Sequence, residues 1–360
     1  MKLLALLLLS ALPSVLAQPA APPANANPNA NAAAADAAWA ALKSRGPGQP
    51  VDVPAGTDAA SARQARADAI AAYLRDADDL RDFRLRFADH AAANEARLLE
   101  AQALLRTKAL GDTAQDARRD QLVADIRRDT AIPVARRAPL AAYSDNLEVS
   151  RTPGLTGDAR LAAYERTARA LNSEFPTMPD GYESLVQIAK VSPDDRAQAI
   201  AREILAHPGA PAHAKAEARM LGERHALVGR PLREAAGPIL ANTAPQAAAG
   251  GRPVVLYTWA SFSPPSLAQA RRLAGLAPGG ARLVGVCLDQ RTLAPARALA
   301  AEQALPGEQV FDWLGRRGEL AEALKLTEVG LVYTVDSAGT IRSVSAQRDL
   351  AAALAALAQP

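Results

Sequence analysis

The spacing of apolar positions divides the chain into three stretches. From about Asp58 to Leu227, apolar side chains recur every three or four residues among Ala, Arg, Asp and Glu, as in Ile70, Tyr73, Leu74 and Ala77, which predicts a run of amphipathic helices. Breaks are expected near Asp78, His90, Gly111-Asp112, Ile132-Pro133, Pro153-Gly154, Pro179-Asp180-Gly181, Pro193 and Pro208-Gly209, with Thr113 and Thr156 or Asp158 as helix N-caps. Beyond Val228 the period changes. Pro253–Thr258, Leu283–Leu288 and Leu331–Val335 are short β-branched runs bounded by turn residues and predict buried strands, with Gln309–Phe311 a weaker one. Helical stretches alternate with them at about Pro264–Leu276, Ala294–Ala304, Gly315–Leu324 and Arg348–Leu357, and Asp336–Gly339 makes a tight connection to a last strand, Thr340–Val344. The expected order is β-α-β-α-β-α-β-β-α.

The third stretch is the N-terminus. Lys2 precedes the apolar run Leu3–Leu9, Pro13 breaks it, and Val15-Leu16-Ala17 supplies modest residues around a cleavage site, so residues 1–17 read as a secretory signal and the protein as exported, to a bacterial periplasm or cell surface. The run falls short of the ~20 apolar residues of a membrane span, and no later stretch reaches it. Residues 18–50 are a low-complexity array of Ala, Pro, Asn and Gly with Trp39 as their one aromatic residue, which reads as a disordered tether, with a short helix around Ala34–Lys43 through which Trp39 could dock.

Within the helical stretch, residues 51–227, a Pro-x-x-Pro turn occurs twice, with Pro176 and Pro208, and Pro179 and Pro211, each 32 apart. Phe87 and His90 mark an earlier copy. That period resembles the tetratricopeptide arrays, whose paired helices stack because each unit cannot bury its apolar face alone. A helical-hairpin array and a plain bundle are both open, with roles as a spacer or as a concave binding surface.

Composition excludes several functions. Lysine plus arginine number 41 against 38 aspartate plus glutamate, a net charge of +3 that gives no bulk attraction for nucleic acid. The arginine pairs 118–119, 127–128 and 136–137 alternate with Asp112, Asp116, Asp120, Asp125 and Asp129, which at helical spacing predicts ion-paired solvated faces. The single cysteine, Cys287, excludes an intrachain disulfide and any multi-cysteine metal site. The four histidines, His90, His207, His213 and His225, lack the i, i+4 spacing of a helical metal pair, and Gly250-Gly251 and Gly279-Gly280 do not lead into a phosphate-binding signature, so neither metal nor cofactor is expected.

The segment Trp259-Ala260-Ser261-Phe262-Ser263-Pro264-Pro265-Ser266, at the end of the first strong strand, together with the element order, Asp336–Gly339 and the lead-in Val228-Gly229-Arg230-Pro231, resembles the thioredoxin superfamily, in particular exported thiol–disulfide oxidoreductases of the TlpA and ResA type, over residues 228–360. The resemblance implies an α/β thioredoxin-like domain, a central mixed sheet flanked by helices, behind an all-α region. It also implies a redox centre of the form Trp-Cys-x-Pro-Cys. Here Ser263 and Ser266 stand at the two cysteine positions and Gly330 at that of the family's cis-proline.

Thiol–disulfide exchange requires sulfur attacking sulfur, and a serine hydroxyl has no disulfide-bonded state. The degenerate motif Ser263-Pro264-Pro265-Ser266 is therefore expected to have lost that reaction, with Ser263 serving as an N-cap and Pro264 at the first helical position. Ser263 as a hydrolytic nucleophile would need a base and an orienting group, and no histidine lies in the same local segment. In the family, the groove between the redox turn and the cis-proline loop holds an extended peptide by backbone hydrogen bonds, which needs no thiol. Trp259, Phe262, Glu328 and Val329 would line it here, for an unknown protein or peptide ligand. Two alternatives stay open: an oxidoreductase-related enzyme acting through Cys287 or an external thiol, and a helical scaffold for which the C-terminal domain is a stabilising cap.

Overall fold

A computed structural model describes residues 30–45, 58–243, 251–277, 280–290, 293–312, 314–346, 354, 355 and 357. The signal segment lies outside these residues, as does most of the helix expected at Arg348–Leu357. Among the described residues no helix is long and apolar enough to cross a membrane. The chain separates into two compact units, Met1–Gly181 and Tyr182–Pro360. Helices expected to precede the sheet as part of the all-α region thus group with it from Tyr182 onward.

The first unit is helical: α1 (Ala30–Arg45), α2 (Ala59–Arg86), α3 (Ala93–Ala109), α4 (Asp116–Arg128), α5 (Val134–Arg151), α6 (Gly157–Glu174) and the start of α7 (Pro179–Lys190). The short helix expected around Ala34–Lys43 is present and longer, Ala30–Arg45, with Trp39 docked, so this part of residues 18–50 is not disordered. Alanine is the best helix former, and Trp39 supplies the anchor by packing 5.2 Å from the Phe83 ring while Ala35 is buried beside it. Helix α2 begins where the Asp58 carboxylate accepts the Ala60 and Ser61 amides at 2.9 Å; the Ser61 side chain first, and these amides with it, hold its pKa below the ordinary value. It then runs through Asp78, where a break was expected. A lone mid-helix aspartate costs no more than ~0.7 kcal/mol of propensity, and Asp78 gains a 2.6 Å ion pair with Arg118. Neither Thr113 nor Thr156 caps with its side chain. The Asp112 carboxylate takes the Ala114 amide instead, and Thr156 occupies the cap position of α6 with backbone alone.

The arginine pairs are less exposed than their spacing implies. Arg119 is 1% accessible and bonded to Asp116, Asp120 and Glu148, while the fully buried Glu100 accepts Arg84 at 2.6 Å and Arg118 at 2.8 Å. Their acidic partners stand largely on neighbouring helices, Asp78 on α2, Glu100 on α3 and Glu148 on α5. The pairs therefore act as cross-links within the unit, where losing one partner would strand a buried charge.

In the second unit α7 is followed by α8 (Asp194–Ala206), α9 (Ala212–His225) and α10 (Leu232–Thr243), the last kinked at Ala236. The sheet comprises β1 (Val254–Trp259), β2 (Arg282–Cys287), β3 (Glu308–Phe311), β4 (Leu331–Val335) and β5 (Ile341–Ala346), with α11 (Pro264–Leu276), α12 (Ala294–Glu302) and the short α13 (Glu319–Ala323) between strands. Strand order is β3-β2-β1-β4-β5; β1, β2 and β3 are parallel, and β4 is antiparallel to both β1 and β5.

Every residue of β1 is buried because both faces are covered. Val254 and Leu256 meet Leu232, Leu320 and Leu324 on one side, and Val255, Tyr257 and Trp259 meet Leu267, Leu273 and Ala300 on the other. At the antiparallel end α8 and α9 pack against β5, shielding an edge strand that would otherwise pair with other chains. The lead-in pairs there too, with Gly229 donating to the Ile341 carbonyl at 2.8 Å and Ile341 to the Arg230 carbonyl at 2.9 Å. The connection read at Asp336–Gly339 is present: the Asp336 carboxylate accepts the Thr340 amide at 2.8 Å and Arg342 at 2.6 Å.

Helix α7 starts against α6 at Gly181, where a Cβ would stand 2.6 Å from the Ala168 carbonyl oxygen and 2.2 Å from Asn172 Oδ1. The backbone oxygen cannot retreat without bending α6. Gly181→Ala is expected to lower stability by ~1–3 kcal/mol through overpacking, despite alanine's better helix propensity, as read from urea unfolding.

Candidate functional site

The strand-to-helix turn at the end of β1 and the loop that leads into β4 meet around the last residues of β1. Thr258 joins them. Its side chain is buried, its hydroxyl donates to the Glu328 carbonyl at 2.7 Å and accepts the Leu331 amide at 2.9 Å, and its own carbonyl accepts the Gly330 amide at 2.9 Å.

On the turn side, Trp259 is fully buried and does not line an open groove, contrary to the expectation from its position. The indole N–H donates to Gln309 Oε1 at 3.0 Å, and the ring meets Phe311 edge-on with centroids 6.0 Å apart. Gln309 in turn donates to the Tyr257 hydroxyl and the Pro306 carbonyl, both at 2.9 Å. A residue read only as part of a weak strand is therefore the polar hub that holds the indole inside.

Phe262, by contrast, is 67% accessible, and Pro264 and Pro265 beside it are exposed. Ser263 occupies the N-cap position of α11 with Pro264 following, as expected, but its side chain makes no capping bond and has no hydrogen-bond partner among the described residues. The structural role falls to Ser266. That buried hydroxyl donates to the Ser263 carbonyl at 2.8 Å and receives the Ala260 amide at 3.3 Å, while the Asp289 carboxylate takes the Ser261 amide at 2.9 Å. Asp289 and Gln309 were invisible to motif reasoning, because Asp289 follows β2 and Gln309 lies within β3, and each joins the turn only through the sheet.

On the loop side, Gly330 has φ +84°, a left-handed conformation that suits glycine, and no peptide bond among the described residues is cis. Its carbonyl accepts Gln269 Nε2 from α11 at 3.1 Å. Glu328 is half-buried and ion-paired with Arg224 at 3.1 Å, and Val329 packs partly against the core. The Val329 backbone N–H and C=O have no hydrogen-bond partner among the described residues, and the Glu328 N–H beside them has none either.

Thiol chemistry through Cys287 meets a physical obstacle. The side chain is fully buried in β2, and burial pushes the thiol up to about 12. A nucleophile of that kind carries almost no thiolate near neutrality. No histidine bonds Ser263 among the described residues: His90 engages Asp36 at 3.1 Å, His207 the Tyr182 hydroxyl at 2.7 Å, His213 Glu183 at 3.1 Å and His225 Asp194 at 2.6 Å. Among the described residues no cluster of three or more metal-ligating side chains occurs.

No family model matches the chain, and no curated protein matches it. Among solved structures it is similar to a thioredoxin-like protein from Parabacteroides distasonis, at 19% identity, over 26% of this chain and 73% of that one, with a TM-score of 0.23.

Three outcomes follow from this geometry. Native protein at pH 8 should leave Cys287 unmodified by iodoacetamide while urea-unfolded protein is alkylated fully, as counted by mass spectrometry. The thiol's folded pKa is raised from 9.0 to about 12, so its contribution is complete below the lower value and disappears as pH climbs through the higher; stability should fall across that window. Ser266→Ala removes a hydroxyl that satisfies a buried amide, and should cost ~1–3 kcal/mol in denaturant unfolding.

Proposed function

We propose that the C-terminal unit is a thioredoxin-like binding module of an exported protein, one that has given up thiol chemistry and holds extended polypeptide by its backbone. Support for export comes from Lys2, the apolar run Leu3–Leu9 and the small residues ending at Ala17. Support for the fold comes from the element order, the mixed sheet and the positions of the Trp259–Ser266 turn and the Asp336–Gly339 connection.

The observation that carries the reading is a contrast at the end of β1. The turn and loop are tied to the core through Thr258, Ser266 and Asp289, yet Phe262 stands in solvent and the Val329 N–H and C=O have no hydrogen-bond partner among the described residues. An extended segment pairing with Val329 would satisfy its N–H and C=O, as strand addition does elsewhere, and Phe262 would supply an aromatic contact beside two exposed prolines. Neither interaction needs sulfur, which agrees with Ser263, Ser266 and the buried Cys287. The ligand class is protein or peptide; the module calls for no cofactor and no nucleic acid.

Fluorescence anisotropy with fluorescein-labelled, carboxymethylated lactalbumin, a permanently unfolded polypeptide, tests the reading. Wild type should bind it, and Phe262→Ser should weaken binding by about tenfold, the equivalent of ~1.4 kcal/mol, without loss of fold because the residue is exposed. Absence of binding by wild type, or equal affinity in the variant, would overturn it.

A further inference from the structure

Arg224 is the most deeply buried charge of the second unit, its side chain only 2% accessible, and it lies on helix α9 about a hundred residues before the groups it touches. Its guanidinium donates Nε to the Lys325 carbonyl at 3.1 Å, and Nη2 to Thr327 Oγ1 at 2.6 Å and to Glu328 Oε1 at 3.1 Å. Three acceptors on one loop thus converge on one planar donor, a geometry that lysine's ammonium cannot reproduce. Lys190 of α7 adds a weaker ion pair, 3.8 Å from Glu328, and Lys325 reaches back to Glu223 at 3.1 Å.

The loop needs such support. Lys325 has φ +55°, in the left-handed region that non-glycine residues rarely adopt, and Gly330 follows at φ +84°. Between these two points, the Thr258 contacts fix the Glu328 carbonyl and the amides of Gly330 and Leu331, while the Arg224 contacts fix Lys325, Thr327 and the Glu328 side chain. Between these supports the Val329 N–H and C=O, like the adjoining Glu328 N–H, have no hydrogen-bond partner among the described residues.

We infer that Arg224 is the positioning residue of the peptide edge: helix α9, through this guanidinium, holds Lys325–Gly330 in the shape that presents the Val329 N–H and C=O. The helical segment ahead of the sheet is then part of the binding module. The consequence for binding rests on the proposed function, whereas the loop-holding role does not, and the experiment separates them.

Backbone hydrogen exchange on the full chain without ligand reads the first part. In Arg224→Met the Gly330 and Leu331 amides should exchange about tenfold faster than in wild type, while Val286 in β2 keeps its rate, since only the loop opens. Arg224→Lys should fall between the two. Should Arg224→Met fail to fold, Glu328→Ala, a half-exposed position, serves in its place with a smaller acceleration confined to the same amides. Unchanged rates at Gly330 and Leu331, or an equal rise at Val286, would overturn the inference.

The lactalbumin probe reads the second part. Arg224→Met should bind about tenfold more weakly than wild type, with Arg224→Lys partly restored. If wild type binds and Arg224→Met binds equally well, the positioning role is wrong and the proposed function stands. If wild type does not bind while exchange responds as expected, the peptide reading fails and the loop-holding role of Arg224 remains.

Discussion

One threonine ties together the parts of the molecule where chemistry would be expected. Thr258 sits in β1, the central strand, and uses its hydroxyl as donor and acceptor at once, while its carbonyl takes a third bond from the same loop. Because β1 is paired on both sides and buried on both faces, Thr258 cannot move independently of the sheet. The turn to α11 and the loop to β4 therefore have their relative positions set by backbone geometry and by one buried hydroxyl, whose loss would leave a buried carbonyl and amide unsatisfied.

Around that pivot, buried polar side chains hold the turn by hydrogen bonds. Ser266 closes the turn through the Ser263 carbonyl and the Ala260 amide, Asp289 holds Ser261, and Gln309 holds the Trp259 indole. Each bond is modest in water, but in a dry site the cost of leaving any one unmade is larger than the gain from making it. The result is a turn and loop tied to the sheet by buried hydrogen bonds, next to an exposed phenylalanine and the Val329 peptide groups, which have no partner among the described residues. Rigid presentation of this kind favours recognition, since little ordering remains to oppose binding.

Buried arginine recurs as a structural device in both units. In the first, Glu100 and Arg119 cross-link α2, α3, α4 and α5, and in the second Arg224 links α9 to the loop before β4. A chain rich in alanine has few large side chains with which to specify one packing of its helices. Guanidinium forks that reach several acceptors at defined angles add that specification, and they make each partner costly to remove.

Much was determined by the sequence alone. The change from a three-to-four period to short β-branched runs located the sheet, because buried central strands need apolar residues on both faces whatever else surrounds them. The lone Cys287 excluded an intrachain disulfide, since that bond needs two sulfurs. Local signals misled where a distant partner intervened: Asp78 continues a helix because Arg118 meets it, and Trp259 is buried because Gln309 satisfies its N–H. Only the tertiary structure decided that Ser266 and not Ser263 closes the turn, that Asp289 and Gln269 belong to the site, and that Arg224 reaches across a hundred residues to the loop at Glu328. Periodicity reports which face of an element is buried; the direction of a hydrogen bond depends on which other element is brought against that face, and this information resides in the fold.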